Sequence, residues 1–160
     1  MRTTMSLSEM IEKRPYNDDH ETKEQKEIEK EVKEYIEKTS NVICRELPKR
    51  DVLDFALCVD EKVVGFCEVR SRSCTWDRIE RGGFYLPLKK HLRIRCLHYA
   101  NEMPTALVVV CKDKAMRLWM GKHDDLETIW WGDTRNDEKH DREPMVVVPS
   151  FFFSHFYDRN

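Results

Sequence analysis

No stretch of these 160 residues approaches the roughly 18 consecutive apolar positions of a membrane-spanning helix. The opening MRTTMSLSEMIEKRPYNDDHE lacks the apolar segment of a secretory signal, which argues against export. Six cysteines (44, 58, 67, 74, 96, 111) form no CxxC pair and no zinc-like spacing. Most have apolar neighbours, as reduced, buried thiols of an intracellular protein would. The histidines form no HxxxH or HxH pair, so a histidine metal centre is not indicated. Net charge is −2, so no global basic field advertises a nucleic-acid partner.

What is present is a chain of single-domain size, 40% hydrophobic and 36% charged. Residues 1–20 show little periodicity and read as a loose arm, with one domain over 21–160. Charge is uneven. Residues 12–38 are crowded with Glu and Lys, whereas 69–95 are rich in Lys and Arg with two acids, Asp77 and Glu80. A local basic strip of that kind can bind phosphates on a neutral protein, although a solvated face explains it equally well.

The spacing of Ile28, Val32, Tyr35 and Ile36 predicts a helix from about Glu21 to Lys38, ending near Asn41. A short strand, NVICREL, follows. Val52 to Val59 and Val63 to Arg70 read as a hairpin around the polar Asp60-Glu61-Lys62 turn. Residues 71–83 read as a loop ending in two glycines. LPLKKHLRIRCLHYANEM then predicts a helix with Leu88, Leu92, Cys96 and Tyr99 on its buried face. TALVVVCKD suits a central strand buried on both sides. AMRLWMG, ETIWW and PMVVVP are further strands, and FFFSHFYD a terminal helix. A helical crossover between the hairpin and TALVVV implies an α/β fold, a mixed sheet covered by helices.

The hairpin carries the chemistry. A turn centred on residue 61 puts Asp54 and Glu68, each seven positions away, opposite one another. Two like charges there repel unless something compensates them, and a divalent cation would. Arg70 shares the face of Glu68 by the two-residue repeat of a strand, placing a cation where a phosphate could be held. Incidental charges at a half-exposed hairpin end are the plain alternative.

The stretch LDFALCVDEKVVGFCEVRSRS resembles the core of the PD-(D/E)XK nuclease superfamily, the restriction-endonuclease-like proteins. In that pattern an acid lies on the first helix, an Asp opens one hairpin strand and Glu-x-Lys closes the next. Asp54 and Glu68 match, and Arg70 stands where Lys is usual. Glu29 best fits the helical acid, with Glu31 and Glu34 as alternatives. GGFYLPLKKHLRIRCLHYA resembles the glycine-led helix of small phage members, whose site-facing Lys corresponds to Lys90 or, second, Lys89. IWWGDTRNDEKHDREPMVVVP is similar to a segment that follows in such proteins. The resemblance implies a restriction-endonuclease-like mixed sheet flanked by helices. It also implies Mg²⁺ or Mn²⁺ on Asp54 and Glu68, phosphodiester hydrolysis in nucleic acid (DNA the first candidate), a location in the host cytoplasm, and room for a homodimer. Arg70 departs from the pattern, because a guanidinium cannot act as a general base. A relative that kept the fold as a nucleic-acid- or protein-binding accessory protein is therefore the second reading.

Among remaining residues, Arg72 and Lys89 read as phosphate contacts, and Trp76, in a polar stretch, as a base-stacking platform. The acidic loop around Asp133, Asp137 and Asp141 lacks the regular oxygen spacing of a calcium loop.

Overall fold

The computed structural model describes residues 23–48, 53–120, 126–131 and 143–160. The expected arm over 1–20 and the acidic loop around Asp133 to Asp141 lie outside them. Helix α1 (Lys23–Thr39) and strand β1 (Ile43–Glu46) open the fold. Strands β2 (Phe55–Val59) and β3 (Lys62–Ser71) form the hairpin. They are followed by α2 (Trp76–Gly82), β4 (Phe84–Pro87), α3 (Leu88–Asn101) and β5 (Thr105–Val110). Strands β6 (Lys114–Met120), β7 (Glu127–Trp131) and β8 (Glu143–Val148), a 3₁₀ turn (Ser150–Phe152) and β9 (Ser154–Asp158) complete the chain.

Six strands form one sheet in the order β1-β2-β3-β5-β6-β9, and β4-β8-β7 form a second. Only the β3–β5 pairing is parallel within the large sheet, so that sheet is mixed. The parallel pair needs a crossover, and the segment from α2 through α3 supplies it. Every residue of β5 is buried, as its unbroken apolar run predicts.

The large sheet separates two cores. On one side Val32 of α1 packs with Cys67, Val69 and Val108. On the other, Ile94 of α3 and Leu86 and Val146 of the small sheet pack with Leu107 and Val109. Strand alternation then decides where the charges of β3 point: Cys67 and Val69 face α1, so Glu68 and Arg70 face the α3 side.

Four expectations are corrected. FFFSHFYD forms no helix; β9 pairs antiparallel with β6 and supplies an edge of the large sheet. Tyr157 of β9 bonds to Glu31 at 2.6 Å, and Tyr35 bonds to the Phe156 carbonyl at 3.2 Å, so the strand is held to α1 as well. Residues 71–83 contain α2, and FYLP is a strand paired with β8. The buried face of α3 is His91 and Ile94, while Leu92, Cys96 and Tyr99 face outward. Trp76 is buried at 6% exposure, packed edge-on against Phe153 with ring centroids 5.3 Å apart. It starts α2, and its indole fills the core, so it offers no platform for a base.

Candidate active site

The hairpin turn has two residues, Asp60 and Glu61, both left-handed at φ 49° and 66°. That is the backbone a tight hairpin favours, built here without glycine. From it the ladder runs Val59 to Lys62 and Cys58 to Val63, then shifts so that Leu57 meets Gly65 and Phe55 meets Cys67. Val64 is the extra residue of a β-bulge. Without the shift the register would run Asp54 against Cys67 and turn Glu68 to the opposite face. With it, the register continued one step sets Asp54 against Glu68. The bulge is what puts both acids at one place.

Asp54 lies just before β2, where the β2–β3 ladder has ended and β3 continues alone on that side. Its Oδ2 accepts the Val69 N–H at 2.8 Å, and its own N–H donates to the Cys67 carbonyl at 3.1 Å. The carboxylate thus satisfies a backbone donor that has lost its strand partner, and Oδ1 remains for another group.

Glu68 is 1% exposed. Lys90, in the first turn of α3, donates to its Oε1 at 2.5 Å, and Arg70 Nη1 lies 3.8 Å from the same oxygen. Among the described residues Glu68 Oε2 is buried with no hydrogen-bond partner, and so is Arg70 Nε. Burial and the Asp54 charge raise Glu68 from 4.5 to about 7, against the opposing pull of Lys90 and Arg70. A carboxyl that titrates near neutrality, beside another acid and two cations, is the kind of group that functional sites collect.

A family model described as "Phage putative PDDEXK endonuclease" matches residues 15–156. The chain belongs to this phage PD-(D/E)XK family. No curated protein and no solved structure matches it significantly.

The other residues named from the PD-(D/E)XK pattern are distributed as follows. Glu29 rides half-buried on α1, one turn after Gln25, whose side chain accepts from Ser71 Oγ at 2.6 Å near the end of β3. Its layer is across the sheet from Lys90. Glu31 is engaged by Tyr157 and Arg159, and Glu34 is exposed beside Lys30 at 3.9 Å. Lys89 is half-exposed, 3.9 Å from Glu143. Arg72 turns inward: it donates to the Ser71 and Tyr85 carbonyls and lies 4.6 Å over the Phe84 ring. These contacts make it a strut between β3 and β4 rather than a phosphate contact, and burial lowers its pKa to about 10. The Tyr85 carbonyl and the Phe84 ring lie on a segment that only the crossover brings to Arg72, so nothing in the local pattern signals this role.

The residues fit the divalent metal that a PD-(D/E)XK protein implies. Glu68 Oε2 is an orphaned buried oxygen, and Asp54 Oδ1 is a second hard donor. Among the described residues no group of three or more His, Cys, Asp or Glu gathers around one point. Two carboxylates, with water and phosphate oxygens completing the shell, is the arrangement Mg²⁺ favours over an all-protein cage. Among the described residues no helix is long and apolar enough to cross a membrane.

Proposed function

We propose that this protein is a divalent-metal-dependent nuclease that hydrolyses phosphodiester bonds in nucleic acid, with DNA as the first candidate. The observation that carries the reading is the buried Glu68 carboxylate, next to Asp54 and facing Lys90, with an oxygen left unpartnered. Burying a carboxylate is costly, and keeping a second acid beside it is costlier still. A structural role would be served better by an apolar side chain.

Asp54 and Glu68 hold the metal, which when bound supplies Lewis acidity and an activated water. Lys90 and Arg70 neutralise the phosphate and the charge that develops on it as water adds to phosphorus and a P–O bond breaks. Arg70 does so as a donor fork, since it keeps its proton throughout. Glu29, in the α1 layer across the sheet from Lys90, is left out of this step.

The second reading, a binding protein without cleavage, is favoured by one observation. Arg70 occupies the position of the usual Lys, and Lys90 spends its charge on Glu68. The test incubates labelled single- and double-stranded DNA and RNA with the protein in Mg²⁺, Mn²⁺ or EDTA. Cleavage that needs metal and vanishes in Asp54→Ala and Glu68→Ala is expected. Binding without cleavage, indifferent to both substitutions, would leave the second reading standing.

A further inference from the structure

The outward turn of Leu92, Cys96 and Tyr99 calls for an explanation. These residues form the apolar stripe of α3, and a stripe of that kind ordinarily faces a core. Here Leu92 is 47% and Tyr99 62% exposed, and Cys96 is exposed with them. The helix is turned the other way because Lys90 reaches Glu68 and because His91 and Ile94 fill the interior.

Beside the apolar stripe runs a second one. Lys89 and Arg93, four residues apart and both exposed, are neighbours on the helix surface. Like charges at that spacing repel, and LKKHLRIRCLHYAN contains four Lys or Arg and no acid to relieve them. Lys89 has a distant partner in Glu143, whereas Arg93 makes no ion pair among the described residues. On a chain of net charge −2, this helix is a cationic ridge with an apolar flank, and its first turn holds Lys90.

We propose that this face of α3 binds single-stranded nucleic acid, with phosphates on Lys89 and Arg93 and bases or sugars against Leu92 and Tyr99. The position of the cut relative to this strand rests on the nuclease reading. A duplex would meet the cations, but its base faces are already stacked and leave the apolar flank without a partner. A single strand offers both chemistries side by side. A second copy of the chain suits the face less well. Two-fold pairing would set Lys89 and Arg93 against themselves with no acid of the helix to answer them. The Tyr99 ring is braced for stacking, with Arg95 5.8 Å from its centroid and His98 edge-on at 5.9 Å.

The test needs neither metal nor cleavage. Fluorescence anisotropy in EDTA compares a labelled 12-nucleotide strand (about the site size of one small binding domain) with the duplex of the same sequence. The single strand binds more tightly. Tyr99→Ala weakens it roughly 5- to 100-fold and leaves the duplex unmoved. Arg93→Glu weakens both and lowers the salt slope of single-strand binding by about 0.7. Circular dichroism melts check that each variant is folded. Tighter duplex binding, or single-strand binding indifferent to both substitutions, would overturn the proposal. So would a dimer, seen by sedimentation, that either substitution dissociates, since the face would then belong to a second copy. Because EDTA removes any metal chemistry, strand binding can stand even if the nuclease reading fails, and the reverse.

Discussion

Lys90 Nζ lies 2.5 Å from Glu68 Oε1, and the Glu68 side chain is 2% exposed, so an ammonium and a carboxylate meet inside the protein. The pair joins the crossover helix to the strand it crosses from and fixes the rotation of α3. Lys90→Met leaves the buried charge with Arg70 at 3.8 Å as its remaining cation. Breaking such a pair from one side costs about 2–4 kcal/mol, observed as a lower urea midpoint at pH 8. At pH 5 the loss shrinks, because Glu68 is then protonated in both proteins. The same substitution removes the cation that competes for Oε1, so Mn²⁺ binds Lys90→Met more tightly in calorimetry.

Glu68 also makes stability depend on pH in a defined direction. Its pKa is raised in the folded state, from 4.5 to about 7, so between those values the folded chain binds more protons than the unfolded one. As far as this residue is concerned, stability is full below pH 4.5 and falls as pH rises to about 7, by on the order of 3 kcal/mol. Glu68→Gln flattens that part of the curve. Asp54→Asn removes the charge that raises the pKa second after burial, and moves the fall to lower pH. Metal must displace the proton, so Mg²⁺ or Mn²⁺ raises the melting temperature more at pH 8 than at pH 6.

The bulge at Val64 can be tested by deletion. Removing this residue lets the ladder run without its extra position, with Leu57 still against Gly65 and Phe55 still against Cys67, so Glu68 stays beside Asp54 and keeps its face. We expect the deletion variant to keep a cooperative melt and its stabilisation by Mn²⁺. Val64→Ser keeps the chain length at a position 45% exposed, and we expect it to stay within about 0.5 kcal/mol of the parent.

The tight turn is stabilised by a smaller change. Glu61 holds φ 66°, a left-handed conformation that L side chains adopt at a cost. Glu61→Gly relieves it and gains about 0.5–1 kcal/mol in chemical denaturation.

Arg70→Lys separates two roles of the cation. If Arg70 only supplies positive charge near Glu68, Lys at this position keeps or raises metal-dependent cleavage. If its planar fork holds two phosphate oxygens, a compact ammonium loses the second bond and cleavage falls about tenfold or more. The two outcomes are read from kcat/KM on one labelled strand.

Much of this was legible in the linear sequence, for local reasons. Five successive apolar residues after Thr105 announce β5, Val32 and its neighbours announce the inner face of α1, and the polar turn at Asp60 announces a hairpin with acids at its far end. Each depends on periodicity within a dozen residues. The facing of α3 was not legible, because its apolar stripe and its buried stripe compete. The Glu68–Lys90 pair, formed across 22 residues of sequence, and the burial of His91 and Ile94 decide which turns inward. FFFSHFYD likewise becomes a strand because β6 offers an open edge, a fact about the sheet and not about those residues. Trp76 and Arg72 looked available in a polar stretch, and the crossover buries one and braces the other. Even the meeting of Asp54 with Glu68 depends on Val64 bulging out of the ladder, since an unshifted register would have put the two carboxylates on opposite faces of the sheet.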